Sequence, residues 1–300
     1  MPHIPVLQRE IIECLKPGKD ENFIDCTMGD GGHAQLILEK NAPKGKVLGI
    51  DWDEENIIRL KERFKKEISE KRVILVNDNF ANLKEIKERE NFQEVSGIML
   101  DLGMSSRHLE SKRGFTFLRN EPLDMRFNSS IPITAAKILN FWSMVEIERI
   151  LREYGEEKFS KKIAQEIVSQ RNKKQIETTQ DLIKILSRAI PKSIQRQKIH
   201  FATRTFQALR IAVNDELNNL QRALGQAFEI LRPGGRLAVI SFHSLEDGIV
   251  KNFFRDKVRE NSLELITKKP IRPNQDEIKI NPRSRSSRLR AAVRSISQTK

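Results

Sequence analysis

The chain has only two cysteines among its 300 residues and lacks any long apolar run. Cys14 and Cys26 are too few for a disulfide framework, and neither lies at metal-ligand spacing from another cysteine or a histidine. No apolar run approaches the roughly 20 residues that a membrane-spanning helix needs, and the first residues do not resemble a signal peptide. We therefore expect a cytoplasmic protein with buried thiols, no bound metal and no membrane partner.

Acidic residues are also in short supply, with 41 Asp and Glu against 54 Lys and Arg. Residues 268–294 hold nine basic and two acidic side chains, a local net charge of +7 (9 − 2) out of the total +13. A balance of this kind suits a polyanionic partner, so we expect nucleic acid to bind. The apolar residues of the segment alternate and predict a strand, which would make it an ordered basic edge; they are Ile278, Ile280, Leu289, Ala291 and Val293.

Short apolar runs alternate with helical patterns through the first hundred residues, which predicts an α/β fold with a parallel sheet. The predicted strands are residues 23–27, 46–51, 72–77 and 97–102, and the helices between them are residues 33–40, 54–68 and 83–90. Asp51, Asp78 and Asp101 stand at or just after the ends of three of these strands, and Asp25 lies inside the first. Ligands bind at the carboxyl ends of parallel strands, so these aspartates mark a candidate site.

The middle of the chain, residues 109–200, reads as helical and contains two capping-box signals, Ser143 with Glu146 and Thr178 with Asp181. The sheet pattern then resumes with a helix ending at Leu231, a turn at 232–235, a strand at 236–242, and two closing antiparallel strands at 263–267 and 289–294. We therefore predict two domains. Residues 1–108 and 201–300 form a discontinuous sheet domain, and residues 109–200 form an inserted, small all-helical domain for substrate recognition.

A glycine-rich turn follows the first predicted strand, with Gly29, Gly31 and Gly32 leading into His33. Glycine lacks the Cβ atom that would keep a backbone away from a flat or phosphate-bearing ligand. Asp51 follows about 20 residues later, where nucleotide-binding sheets place a carboxylate on a ribose. This spacing predicts a nucleoside cofactor.

Three cofactor classes compete for this turn. A P-loop needs Gly-Lys-Ser/Thr after the glycines, and the chain has Gly-Gly-His instead. A dinucleotide motif fits at Gly29 and Gly31, with Ala34 in place of the third glycine, so a nicotinamide cofactor stays open. S-adenosyl-L-methionine suits the half-sheet better, because Asp51 can accept both ribose hydroxyls and residues 77–80 stand where an adenine slot would lie. The turn at 232–235 is also frequent in methyltransferases of this fold.

An ordered series of segments resembles the bacterial family that methylates the exocyclic N4 of a cytidine in the decoding region of 16S ribosomal RNA, the RsmH or MraW family. The matching segments are residues 3–7, 25–33, 100–106, 113–115, 122–126, 154–157, 202–207, 241–247 and 281–287. The resemblance implies a Rossmann-like sheet and an S-adenosyl-L-methionine-dependent methyltransferase. It further implies 16S ribosomal RNA or the small ribosomal subunit as partner.

Carried over residue by residue, the resemblance implies cofactor contacts from Gly31, Gly32, His33, Asp51, Phe80, Asp101 and His108. Relatives often have glutamine where this chain has His108. The paired prolines of the DNA amino-methyltransferase motif are absent after Asp101, so the catalytic group is not assigned by motif. We predict that Asp101, or a main-chain carbonyl beside it, contacts the N4 proton, with Ser105 and Ser106 shaping the pocket.

Several further residues are candidates for contacts with RNA, and for each a structural role stays open. They are His243, Arg204, Arg210, Arg283, Arg285 and Arg288. Two other functions also stay open, an NAD-dependent Rossmann oxidoreductase and a non-catalytic RNA-binding ribosome assembly factor. The sequence does not distinguish a monomer from a homodimer.

Overall fold

The computed structural model describes residues 4–296, except for the side chain of Ser106. The chain divides into two compact units, the first formed by Met1–Gly103 and Leu217–Lys300 and the second by Met104–Glu216. Among the described residues, no helix has both the length and the apolar character that crossing a membrane requires.

The first unit is built on a seven-stranded sheet in the order β3-β2-β1-β4-β5-β7-β6, counted over residues 4–296. The strands are β1 Asn22–Asp25, β2 Val47–Asp51, β3 Val73–Asn77, β4 Val95–Asp101, β5 Leu231–Ser241, β6 Leu263–Leu265 and β7 Arg288–Arg294. Strands β1 to β5 run parallel, and β7 runs antiparallel to both β5 and β6. The strand order reverses between β1 and β4, where an open sheet of this kind binds its ligand.

Fifteen α-helices accompany the sheet and fill the second unit over the described residues. They are α1 Gln8–Leu15, α2 Gly32–Lys40, α3 Glu54–Arg63, α4 Lys65–Ser69, α5 Leu83–Arg89, α6 Ser106–Glu110, α7 Ala135–Phe141, α8 Met144–Glu153, α9 Ser160–Arg171, α10 Thr179–Ala189, α11 Lys192–Gln195, α12 Thr203–Asn214, α13 Glu216–Ile230, α14 Ser244–Arg259 and α15 Gln275–Ile280. Two short 3₁₀ helices span Phe80–Asn82 and Pro282–Ser286.

Both faces of the sheet are covered, which explains why its central strands are apolar throughout. In β4, Ile98 and Leu100 pack in one core while Met99 packs in the core on the other face. The same alternation places Leu237 and Ala238 of β5 in different cores. Burial on both faces turns an alternating pattern into a continuous apolar run, and this confirms the predicted α/β sheet.

Two local predictions in this unit are wrong. The helix predicted at 54–68 is interrupted at Phe64, whose buried ring packs beside Gly31 and whose backbone leaves the helical region between α3 and α4. The turn predicted at 232–235 lies inside β5 as an irregularity of the ladder, because Leu231 pairs with Val95 and Arg236 next pairs with Gly97. Consequently α13 ends one residue earlier than predicted.

The predicted basic strand near the C-terminus is half right. Residues 289–293 lie in β7, as expected, but Ile278 and Ile280 belong to helix α15. Asn274 caps this helix by accepting a hydrogen bond from the backbone N–H of Glu277, and Asp276 lies in its first turn. Capping and acidic side chains at a helix start outweigh a short apolar alternation.

The second unit is helical, and the described residues between 104 and 216 contain no strand beyond one isolated bridge. Both predicted capping boxes are confirmed, at α8 and α10. The unit extends beyond the predicted insert at 109–200, because α12 contributes Phe206, Leu209 and Val213 to its core. Their burial assigns the whole helix to the second unit.

Candidate active site

The carboxyl ends of β1, β2 and β4 bring three aspartates and a histidine together in the first unit. Asp25, Asp51 and Asp101 end these strands, and His33 lies in the first turn of α2. The charges of Asp51, Asp101 and His33 all act on the carboxyl of Asp25. The three strand-end aspartates therefore form one group at the point where the strand order reverses.

Asp51 anchors the glycine-rich turn to the end of β2. Its Oδ2 atom accepts a hydrogen bond from the backbone N–H of Gly29 at 2.9 Å and one from Asn56 Nδ2 at 2.6 Å. Its Oδ1 atom accepts a hydrogen bond from the backbone N–H of Asp53 at 2.9 Å. Asn56 Nδ2 also donates to the carbonyl oxygen of Gly29. The carboxylate predicted to hold a ribose thus also holds the turn in place.

The three glycines of the turn serve different purposes. A Cβ atom on Gly31 would lie 2.4 Å from Phe64 Cε2, and one on Gly32 would lie 2.1 Å from Pro5 Cγ. These two positions require glycine because the protein itself packs against them, which corrects the expectation that all three glycines make room for a ligand. Only Gly29, at φ +51°, would place a Cβ in ordinary contact, 3.7 Å from the Thr27 carbonyl oxygen.

Asp25 is fully buried, and its Oδ1 atom accepts a hydrogen bond from the backbone N–H of Thr27 at 3.1 Å. Burial raises the pKa of Asp25 to about 6, while the positive charge that His33 can carry and the hydrogen bond from Thr27 act in the opposite direction. Asp101 and Asp51 raise this pKa further. The surroundings of Asp25 therefore disfavour the ionised form of its carboxyl.

Asp101 and His33 carry buried polar atoms that have no hydrogen-bond partner among the described residues. These atoms are Asp101 Oδ1 and both ring nitrogens of His33. His33 Nε2 lies 3.7 Å from Asp101 Oδ2, which is too long for a hydrogen bond. The backbone N–H of Asp101 donates to Thr27 Oγ1 at 2.6 Å and fixes the strand end. Buried polar atoms without partners are rare in native structures, so they indicate a ligand site.

Phe80 begins the 3₁₀ helix that follows β3 and is half-buried against one core of the sheet. Asn79 caps this turn by accepting a hydrogen bond from the backbone N–H of Ala81 at 2.9 Å. The neighbouring Asp78 accepts from Asn82 Nδ2 at 2.9 Å and pairs with Arg89 at 3.3 Å. Asp78 thus serves the local turn.

His108 belongs to the second unit, on helix α6. Its ring centroid lies 4.7 Å from that of Phe127 and 5.4 Å from that of Phe115. Ser105 caps the helix by accepting a hydrogen bond from the backbone N–H of His108 at 3.3 Å. The side chain of Ser106 lies outside the described residues, so its predicted role in shaping the pocket stays a prediction.

Several predicted RNA contacts have structural partners within their own unit. His243 caps helix α14 in a capping box with Glu246. Asp247 accepts hydrogen bonds from Arg290 at 2.7 Å and from Arg288 at 3.3 Å.

Of the other predicted arginines, Arg210 forms a bidentate pair with Glu216 at 2.7 and 2.8 Å, and Arg204 donates to the Glu156 carbonyl oxygen at 2.9 Å. Arg204, Arg283 and Arg285 are exposed. Carboxylates therefore already hold Arg210 and Arg288, two of the five arginines predicted to contact RNA.

The residues that the sequence analysis missed are those that hold the site in shape. Asn56 secures Asp51 and Gly29, and Thr27 joins the ends of β1 and β4. A recognisable signal was present for one of them, because Asn56 is a polar residue directly beside the core residue Ile57 in an amphipathic helix. A buried amide in such a place needs hydrogen-bond partners.

A family model described as the MraW methylase family matches residues 1–295. The chain belongs to this family. It is 47% identical over 307 residues to Ribosomal RNA small subunit methyltransferase H from Heliobacterium mobile, covering 97% of this chain and 98% of that protein. It is 49% identical over 294 residues to the protein of the same name from Thermotoga neapolitana, covering 97% and 95%. As a member of this family, the chain is an S-adenosyl-L-methionine-dependent methyltransferase.

The residues at the strand ends fit such a donor. The backbone at Gly29 has no side chain that would close the turn, and the nearest atom to a Cβ placed there is at ordinary contact distance. Asp101 Oδ1 and the ring nitrogens of His33 supply buried acceptors and donors that have no hydrogen-bond partner within residues 4–296. Three aspartates give the site a negative character that suits a cationic sulfonium.

Proposed function

We propose that this chain methylates the exocyclic N4 of a cytidine in the decoding region of 16S ribosomal RNA. The family match over residues 1–295 supports a methyltransferase, and the relatives named above act on small-subunit ribosomal RNA. The observation that carries the proposal is Asp101, a carboxylate at the switch point of the sheet with one buried oxygen that has no hydrogen-bond partner among the described residues.

S-adenosyl-L-methionine, when bound, supplies a methyl group on a sulfonium that a nucleophile can displace in line. The residues of the turn bind and orient it. We assign the main chain of Gly31, Gly32 and His33 to the amino-acid part, Asp51 to the ribose and Phe80 to the adenine. Alignment of this kind can lower an activation barrier by roughly 7–11 kcal/mol. Rigid anchoring of the turn therefore contributes to the rate of methyl transfer.

Asp101 is the candidate catalytic residue. The lone pair of a cytosine amine is delocalised into the ring, which makes N4 a weak nucleophile. A carboxylate that accepts a hydrogen bond from N4–H helps the nitrogen become pyramidal, so that its lone pair can form the new C–N bond. As the methyl arrives, N4 must lose one proton, which Asp101 Oδ1 accepts and passes to water.

The remaining parts of the proposal concern the surroundings of this reaction. His108 is kept as a cofactor contact, and the second unit is assigned to substrate recognition. A cytoplasmic location belongs to the proposal as well. Whether the chain acts as a monomer or a homodimer is measured by light scattering on the purified protein.

The proposal is tested with purified protein, methyl-labelled S-adenosyl-L-methionine, and either naked 16S RNA or small subunits from cells that lack the protein. Mass spectrometry of the digested RNA should show N4-methylcytidine at one decoding-region position, which is absent in the mutant cells and restored by the enzyme. Unchanged methylation in cells lacking the protein, or label at another atom, would overturn the assignment.

A matched pair of variants tests the role of Asp101. Asp101→Asn should lower kcat by at least a hundredfold while it binds the donor within a few-fold of wild type. Asp78→Asn is the control, because Asp78 also follows a strand end but serves a local turn. Equal activity of the two variants would remove Asp101 from the reaction. Thermal-shift titration with NAD against S-adenosyl-L-methionine distinguishes the oxidoreductase alternative, and loss of label transfer with RNA binding intact would favour an assembly factor.

A further inference from the structure

The second unit carries a stack of three aromatic rings that the methyl-transfer site does not use. The His200 ring lies on Phe117, with centroids 4.3 Å apart and planes 12° from parallel, and on Phe201, at 4.4 Å and 28°. Phe206 meets Phe117 edge-on at 5.3 Å and is buried in the core of the unit. These contacts hold the three rings, here called the ring stack, in a fixed arrangement.

The ring stack reaches the protein surface. His200 is exposed, while Phe117 and Phe201 are half-buried. Its apolar neighbours in sequence are exposed too, Leu118 at 81% and Ile199 at 65%. Large apolar side chains at such exposure mark an interaction surface when they occur together.

His200 itself is held as a neutral ring. Its Nδ1 atom accepts a hydrogen bond from the backbone N–H of Ala202 at 3.2 Å, so the proton of the neutral ring resides on Nε2. Partial burial lowers the pKa of His200. An uncharged imidazole stacks like the phenylalanines on either side and leaves one N–H donor.

The chain on either side of His200 is basic in sequence. Residues 182–214 contain seven basic side chains and no acidic one, a net charge of +7. Six of the seven are exposed: Lys184, Arg188, Lys192, Arg196, Lys198 and Arg204. Arg196 and Lys198 lie four and two residues before His200. Aromatic rings beside a basic surface are the combination that proteins use to bind single-stranded nucleic acid.

We propose that the ring stack is a subsite for an unpaired RNA base, which continues the stack while Arg196 and Lys198 contact the flanking phosphates; this role rests on the proposed RNA substrate. Base stacking on aromatic rings tolerates any sequence because every base has a π-face. Single-stranded RNA should therefore bind better than a duplex of the same length, whose bases are already stacked. An acidic protein surface would match the charge, but its binding would not require parallel aromatic rings.

Two substitutions at one position separate stacking from hydrogen bonding. His200 is the middle ring, with Phe117 on one face and Phe201 on the other, so the base would continue the stack on an outer phenylalanine that His200 holds in place. His200→Phe keeps this middle ring, and His200→Gln removes it while keeping an amide that can hydrogen-bond. We expect fluorescence anisotropy with a 12-nucleotide single-stranded RNA to show near wild-type Kd for the phenylalanine variant and a roughly 5- to 100-fold weaker Kd for the glutamine variant. Equal Kd values for the two variants, or equal binding of duplex and single-stranded probes by wild type, would overturn the proposal.

The phosphate contacts are tested by the salt dependence of the same Kd. The double variant Arg196→Gln, Lys198→Gln should reduce the slope of log K against log salt by about 1.4, since each single-strand phosphate contact contributes roughly 0.7. Lys61→Gln with Lys65→Gln is the matched control, because it removes two exposed charges from the first unit. An equal loss of slope in both double variants would mean that only net charge matters and would refute the assignment.

This test stays distinct from that of the proposed function. Thermal unfolding and S-adenosyl-L-methionine binding should be unchanged in every variant, which excludes misfolding as the cause. If wild type methylates no ribosomal RNA yet binds single strands through His200, the proposed function fails and the subsite stands. If wild type methylates the RNA and His200→Gln leaves both KM and RNA binding unchanged, the subsite fails alone.

Discussion

Neutralising Asp25 should change how the stability of the protein depends on pH. This carboxyl is fully buried, and its pKa is about 6 in the folded protein against 3.8 for the ordinary side chain. A shift of about 2 units corresponds to about 3 kcal/mol between the two protonation states. The substitution Asp25→Asn removes the charge and keeps an oxygen that can accept the hydrogen bond from Thr27.

The sign of the effect follows from the raised pKa. Above pH 6 the Asp25 carboxyl is ionised in the folded and the unfolded chain, so the folded state bears the full cost of burying its charge. As the pH falls from 6 to 3.8 the folded protein takes up the proton first, and this cost disappears. The wild type should therefore lose about 3 kcal/mol relative to Asp25→Asn between pH 3.8 and pH 7.

Comparing the stability difference at two pH values removes the contributions that do not depend on pH. Burying the extra amide N–H of asparagine changes stability by the same amount at every pH, so it cancels in the difference between pH 4 and pH 7.5. Urea unfolding followed by the fluorescence of Trp52, in a Trp142→Phe background, reports on the first unit, because Trp142 lies in the second.

The control is Asp276→Asn, since the side chain of Asp276 is 84% exposed. Its stability difference from wild type should change much less between pH 4 and pH 7.5, because solvent and salt screen a charge at this exposure. An equally small change for Asp25→Asn would show that burial does not shift the pKa of Asp25, and the electrostatic description of the site would be wrong.

Three further predictions concern the supports of the site. Asn56→Ala should weaken S-adenosyl-L-methionine binding about tenfold by calorimetry, because Asp51 and the turn lose a shared partner; an unchanged Kd would make the anchoring irrelevant. Gly31→Ala should cost about 2–4 kcal/mol in urea unfolding, since φ is +77° and Phe64 fills the space, and Phe64→Leu should restore part of it; full stability of the single variant would contradict this. Arg288→Gln should lower the Tm without changing the salt slope of RNA binding, because the guanidinium of Arg288 is paired with Asp247. A reduced slope would mean that Arg288 contacts RNA phosphates.

The sheet was predictable because burial on both faces leaves a simple pattern. The strands predicted from apolar runs agree with β1 to β4 to within two residues at either end. The interruption at Phe64 was not predictable, since it depends on a ring that packs beside Gly31, 33 residues earlier in the chain. The irregularity in β5 depends likewise on its pairing with β4. Contacts distant in sequence decide such details, and a local pattern does not contain them.

The sequence predicted which residues stand at the candidate site, but it did not predict their hydrogen-bond and packing partners. Strand-end positions identified Asp51 and Asp101, because parallel strands deliver their ends to one edge. The sequence did not show that Asp51 also anchors the turn through Asn56. Nor did it show that Gly32 is required by Pro5. A residue type reveals which chemistry is available, whereas the packing around it decides what the side chain does.

The three aspartates explain why the site should distinguish the two charge states of its cofactor. Asp51 and Asp101 both raise the pKa of Asp25, which means that the negative charges of this group oppose one another in the folded chain. A cation placed among them relieves that repulsion, and a neutral molecule of the same shape does not. S-adenosyl-L-methionine carries the positive sulfonium, and the product of methyl transfer has lost it. If the donor binds among these aspartates as proposed, we expect the site to bind S-adenosyl-L-methionine more tightly than the spent cofactor.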